Sequence, residues 1–332
     1  MLLPLLFTAI MKRYGVSFSG YSVHFSPFRQ NLIAVASSQY FGIAGNGKVS
    51  ILDFQRGAID PVVEFGTRDA CFDVAFSEMS ESVLATACGD GSVRIFDLHR
   101  PGDRPVALFS GQKAETYSVN WNTFTKSLVC SASWDRSVVV HDVVSGQEKM
   151  KYLHNGIAYE ARFNPRNATI LASVGGDGQL LVCDMRQSAP SVKIKEGAEI
   201  LCVDWNKYRD TMVATGSVDR LVRVYDIRNP GKPLNVFDNH QLAVRRVRFS
   251  PHSDSLLLSC SYDMSVKLCS LSSPVKDSFD HHTEFVIGID FSNFERDLVA
   301  STSWDRSVAV WSLGQQPKPQ LAPRRRAAVA NI

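Results

Sequence analysis

Residues 133–143 read SWDRSVVVHDV, and residues 303–313 read SWDRSVAVWSL. The pattern recurs as GDGSVRIFDL (89–98), GGDGQLLVCDM (175–185), SVDRLVRVYDI (217–227) and SYDMSVKLCSL (261–271). One aspartate keeps the same register in every copy: Asp90, Asp135, Asp177, Asp219, Asp263 and Asp305. Successive aspartates stand 45, 42, 42, 44 and 42 residues apart. A seventh copy, GNGKVSILDF, puts Asn46 at that register, 44 residues before Asp90. Self-similarity at such a period marks a repeat architecture. Short alternating runs of Val, Ile, Leu and Phe mark the units as β-strands joined by turns.

Working outward from the aspartate, each unit has the same order. A first strand ends in an aromatic residue at a turn: Phe25, Phe76, Trp121, Phe163, Trp205, Phe249 and Phe291. A second strand of small and branched residues follows. The aspartate then makes a tight turn, where its carboxylate can accept backbone N–H bonds. A third strand and a more polar fourth strand close the unit. Four strands in about 43 residues resemble the blade of a WD-repeat β-propeller. The expected fold is therefore all-β, a seven-bladed propeller over residues 12–313. An N-terminal strand, about Lys12 to Phe18, is expected to be the outer strand of the last blade, closing the ring without an open edge.

The 332 residues are 45% hydrophobic and 21% charged, which suits a packed core and excludes a disordered chain. The net charge of +3 is too balanced to argue for nucleic-acid binding. Seven cysteines, with no CxxC spacing, read as reduced core thiols. Residues 1–11 form an apolar extension too short to span a bilayer, and Met11 is a second candidate start. Residues 314–332 read as a flexible tail carrying Arg324, Arg325 and Arg326. No stable membrane insertion is expected.

The blade signature is worn. Its terminal Trp survives as Trp311, with Phe96, His141, Cys183, Tyr225 and Cys269 elsewhere. Its usual histidine is present as His154, His240 and His282, and Gln112 and Glu196 replace it in two blades. These histidines are expected to bond towards the turn aspartates of their blades. A metal site at His281 and His282 is not expected, because adjacent strand residues face opposite ways. No nucleophile elbow, P-loop, HExxH or paired-carboxylate motif stands in a suitable context. The chain reads as a non-enzyme with no cofactor and no metal.

Counting back from the first-strand aromatics brings out one further pattern. Six or seven residues earlier stand Asp69, Glu115, Glu199 and Glu284. Four residues earlier stand Tyr21, Phe72, Tyr117 and Tyr159 in consecutive blades, then Leu201, Arg245 and Ile287. One mouth of the propeller is thus expected to carry an acidic rim with aromatics just inside it. Such a face suits a cationic, partly apolar peptide.

Several segments go beyond a generic propeller. SSQYFGIAGNG (37–47), GAEILCVDWNKY (197–208), AVRRVRFSPH (243–252), SCSYDMSVKL (259–268) and DHHTEFVIGIDFS (280–292) resemble the peroxisomal import receptors for the N-terminal, type 2 targeting signal. The resemblance implies a soluble cytoplasmic receptor that shuttles to the peroxisome or glycosome matrix. Its partners would be cargo with an N-terminal type 2 signal, a co-receptor and the peroxisomal docking complex. A competing reading comes from Tyr225-Asp226-Ile227-Arg228, with Cys183-Asp184-Met185-Arg186 as a weaker copy. Both resemble the Trp-Asp-x-Arg motif of propellers that serve cullin-type ubiquitin ligases as substrate adaptors. A general interaction scaffold is the third reading.

Overall fold

The computed structural model describes residues 11–55 and 58–314. Within them the chain forms seven four-stranded antiparallel sheets. These are the blades of a propeller, with the first strands innermost. Blade 1 runs Ser19–Phe25, Leu32–Ser38, Gly47–Asp53 and Asp60–Thr67. The remaining first strands are Cys71–Phe76, Thr116–Trp121, Ala158–Phe163, Ile200–Trp205, Val244–Phe249 and Val286–Phe291. Each first strand ends at the aromatic residue singled out in the sequence. The strand patterning has a direct physical cause. Second strands such as Val83–Cys88 and Met212–Ser217 are covered on both faces by neighbouring blades, so they read as nearly unbroken apolar or small runs.

Blade 7 closes the ring. Lys12–Gly15 pairs antiparallel with Ser307–Ser312, Lys12 opposite Val310 and Gly15 opposite Ser307. The closing strand ends at Gly15, short of Phe18, although the Val16 N–H still donates to the Arg306 carbonyl. Met11 packs against the blade-7 core. The apolar extension before Met11 and the basic tail after Gly314 lie outside the described residues.

The core consists of layers between adjacent blades. Phe65 of blade 1 stacks on Phe96 of blade 2 at 4.7 Å, in one cluster with Val74 and Leu84. All seven cysteines are free and buried. Burial pushes the Cys130 thiol up to about 12, so it stays protonated and inert at neutral pH.

The turn aspartates work as local clamps. Asp263 accepts from His240 Nδ1 at 2.9 Å, from the Gln241 N–H and from the Ser265 hydroxyl. Burial alone would raise its carboxyl, yet the His240 and Ser265 contacts hold it well below the usual carboxylate range. His154 reaches Asp177, and His282 reaches Asp305, in the same way. The opposite ring nitrogens meet Ser173, Ser259 and Ser301. The residue after each turn aspartate takes a left-handed backbone: Gly91, Arg136, Gly178, Arg220, Met264 and Arg306. Where Glu196 replaces the histidine, Arg223 bridges it to Asp219, at 2.7 and 2.5 Å.

Two local expectations need correction. Asn46 makes no such clamp; its N–H donates to Gln39 Oε1 and its carbonyl accepts from the Gln39 N–H. Strand alternation does not separate His281 from His282. Both lie beyond the outer strand of blade 6, their rings are 4.5 Å apart, and both reach the Ser301 hydroxyl. Among the described residues no group of three or more His, Cys, Asp or Glu could hold a metal ion. No described helix is long and apolar enough to cross a membrane.

Candidate functional site: an aromatic floor with exposed carboxylates

The first strands begin, and the aspartate turns sit, at one end of the ring. Four-residue offsets from the strand-ending aromatics place Tyr21, Phe72, Tyr117 and Tyr159 at this mouth. Their rings form a chain across it. Tyr21 meets Phe72 edge-on at 5.2 Å, Phe72 lies 4.7 Å from Tyr117, and Tyr117 lies 6.4 Å from Tyr159. Tyr21 and Phe72 are buried, so they are a floor rather than open contact surface. Burial pushes the Tyr21 phenol far above its ordinary value, so it stays neutral.

The sequence reading missed half of this floor. Trp134, Tyr262 and Trp304 occupy the position just before the turn aspartate in blades 3, 6 and 7. Trp304 lies 5.9 Å from Tyr21 and 5.3 Å from Phe285. Tyr262 lies 4.8 Å from Phe285, and Trp134 lies 5.7 Å from Tyr117. The signal was present, since an aromatic directly follows the second strand in each of these blades, but it was absorbed into the repeat motif. Arg245 of blade 6 spans the mouth and places its guanidinium 4.8 Å from the ring centre of Tyr117. A buried, permanently charged group thus sits within the floor.

The four carboxylates stand around it. The Glu115 and Glu199 carbonyls accept from the Trp134 and Val218 N–H groups, so the two residues share one register. Asp69 and Glu284 are one position further out. Glu199 and Glu284 are exposed; Asp69 and Glu115 are half-buried. Asp69 turns its Oδ1 back to the Ala70 N–H. Glu199 accepts from the Tyr159 hydroxyl at 2.9 Å. Burial, then Glu199, raises the Tyr159 phenol, which therefore remains a donor. None of the four takes part in an ion pair among the described residues.

Deeper in the channel the charges are consumed. Asp73 pairs with Arg246 at 2.9 Å. Glu160 faces Arg162 at 2.9 Å, Arg248 at 3.3 Å and Arg246 at 3.9 Å. Both carboxylates also accept a neighbouring strand's N–H, from Val119 and Val203. Burial would raise Glu160, but the three arginines hold it far below the usual carboxylate range. Arg186 and Arg228 fold back onto Asp184 and Asp226 at 2.5 and 2.6 Å, so each adaptor-like motif closes its own turn.

Fold and repeat define a WD-repeat β-propeller. The family described as "WD domain, G-beta repeat" matches residues 60–97, 191–226, 231–270 and 273–312. The chain is also similar to curated proteins named peroxisomal targeting signal 2 receptor. That of Dictyostelium discoideum is 43% identical over 77% of this chain and 82% of its own length. That of Saccharomyces cerevisiae is 34% identical over 78% and 83%. That of Homo sapiens is 36% identical over 77% and 80%. The chain belongs to the peroxisomal targeting signal 2 receptor family of WD-repeat proteins.

Proposed function

We propose that this chain is a non-catalytic cargo receptor for N-terminal type 2 peroxisomal signals. It carries folded cargo from the cytoplasm to the peroxisome or glycosome matrix, together with a co-receptor and the docking complex. The observation that carries the reading is the set of carboxylates Asp69, Glu115, Glu199 and Glu284. All are free of ion pairs among the described residues and surround an aromatic floor.

The signal has the form Arg-(Leu/Val/Ile)-five residues-(His/Gln)-(Leu/Ala). On a helix its Arg and His are seven residues apart, nearly two turns, and share one stripe about 10 Å long. The apolar positions fall on a neighbouring stripe. Carboxylates read the basic stripe, and the floor with Tyr117 and Tyr159 supports the helix. Recognition involves charge pairing and burial, with no bond made or broken.

The test is fluorescence polarisation with a type 2 signal peptide, against one whose Arg and His are reversed to Asp. Wild type should bind only the first, and more weakly as salt rises. Truncating one member of a desolvated charge pair costs about 2–5 kcal/mol. Glu115→Lys should therefore weaken binding by about 30-fold or more, and Glu199→Lys should weaken it measurably. Glu115, half-buried, should suffer more than exposed Glu199, since an open ion pair contributes under about 1 kcal/mol. Wild-type affinity in both variants would overturn the assignment.

A further inference from the structure

The blade-1 loop, residues 37–47, stands apart from every other turn at this mouth. It carries no charged residue. Its backbone is pinned to the floor. The Tyr21 hydroxyl donates to the Phe41 carbonyl at 2.5 Å, and the Phe41 ring lies 5.1 Å from Trp304. A Cβ at Gly42 would come within 2.6 Å of the Phe72 ring and 2.8 Å of the Tyr21 hydroxyl. The loop therefore rests directly on the aromatics, and only glycine allows that approach.

Two consecutive side-chain-bearing residues, Tyr40 and Phe41, hold left-handed backbones, at φ 44° and 56°. That conformation is uncommon for aromatic residues and persists only where surroundings enforce it. The enforcing contacts are the Ile43 N–H to the Tyr40 carbonyl, and the two bonds between Gln39 and Asn46. The result is outward display: Tyr40 is 72% exposed and Ile43 is 87% exposed. A loop held by these bonds in an unfavourable backbone, with apolar side chains turned to solvent, is suited to contact.

The neighbours say what fits it. Gly47 sits against the Asp69 carbonyl on the blade-2 side, and Phe41 sits on blade 7, which carries Glu284. An uncharged apolar wall thus rises between two rim carboxylates and is continuous with the floor. Its complement is one helix with a cationic stripe and an apolar stripe side by side. We propose that Tyr40 and Ile43 form the wall that takes the apolar stripe of the bound signal helix and so select its apolar positions. This rests on the receptor reading above and assigns it a second determinant, independent of charge.

The test uses the full chain, with Tyr40→Ser and Ile43→Ser combined. Two probes are compared: a type 2 signal peptide, and the same peptide with its apolar stripe changed to serine but its Arg and His kept. Wild type should prefer the first. The loop variant should lose at least about tenfold in affinity for it, bind both peptides alike, and keep the wild-type salt dependence. Ile43→Ser alone serves if the double variant melts early. A loop variant that binds and discriminates like wild type overturns the proposal while leaving the receptor reading intact. Wild type that binds neither peptide overturns the receptor reading, and this one with it. Loss of salt dependence in the loop variant would mean that the loop acts through the carboxylates, which also overturns it.

Discussion

The channel interior and the mouth above it use the same residue types in opposite ways. Inside, Glu160 faces three arginines and a backbone N–H, so its charge is matched within the chain. At the mouth, Glu115, Glu199, Glu284 and Asp69 form no ion pair among the described residues. The lesson is about burial. A carboxylate removed from water costs several kcal/mol unless it is paired and bonded, so interior charges become structural. A carboxylate left in water costs little and keeps its field for a partner.

The contrast can be broken most sharply from within. Glu160→Ala leaves Arg162, Arg246 and Arg248 buried without their shared anion. It should destabilise by about 3–5 kcal/mol, read as a shift in urea midpoint. A change near zero would mean that the interior network is no more structural than the rim.

Next come the clamps between the two regions. His240→Ala strips Asp263 and Ser259 of a buried partner and should cost about 1–3 kcal/mol, measured by thermal melt. Gln112→Ala makes the matching test in blade 3, where Gln112 bonds Ser137, Thr116 and Ser131.

A smaller effect lies in pH. At Asp305, the His282 and Ser307 contacts outweigh burial and hold the carboxyl low in the folded state. Its contribution is complete above the unfolded value of about 4 and is lost as pH falls through the folded one. Asp305→Asn should therefore flatten the acid limb of the stability profile below about pH 4, with little change in slope at neutral pH. An unchanged acid limb would remove Asp305 from the structural set.

The smallest stability effect belongs to the rim. Glu199→Lys should shift unfolding by no more than about 0.5 kcal/mol while weakening peptide binding. A large drop in melting temperature would move Glu199 to the structural side of the comparison.

The sequence by itself determined the number of blades, the period and the strand order. Each blade repeats the same local problem, an aspartate turn between two apolar strands, and a repeated local solution leaves a repeated local pattern. The pairing of Lys12–Gly15 with the last blade was legible too, because an unclosed ring leaves an unpaired edge. Counting from the strand-ending aromatics also put Tyr21, Phe72, Tyr117 and Tyr159 at one level.

Only the tertiary structure decided what each of those residues does there. Tyr21 and Phe72 are buried floor, because Trp304 and Tyr117 converge on them from other blades and Phe41 from the blade-1 loop. Arg245 reaches Tyr117 across the mouth, a contact between residues 128 positions apart that no period encodes. Glu196 and Glu199 show the limit most plainly. Three residues apart and chemically identical, the first is buried against Arg223, Thr215 and Ser217, and the second is exposed at the rim. Sequence gives both the same charge. Which charge is already spent depends on what the neighbouring strands bring within 3 Å of it, and long-range packing alone sets that.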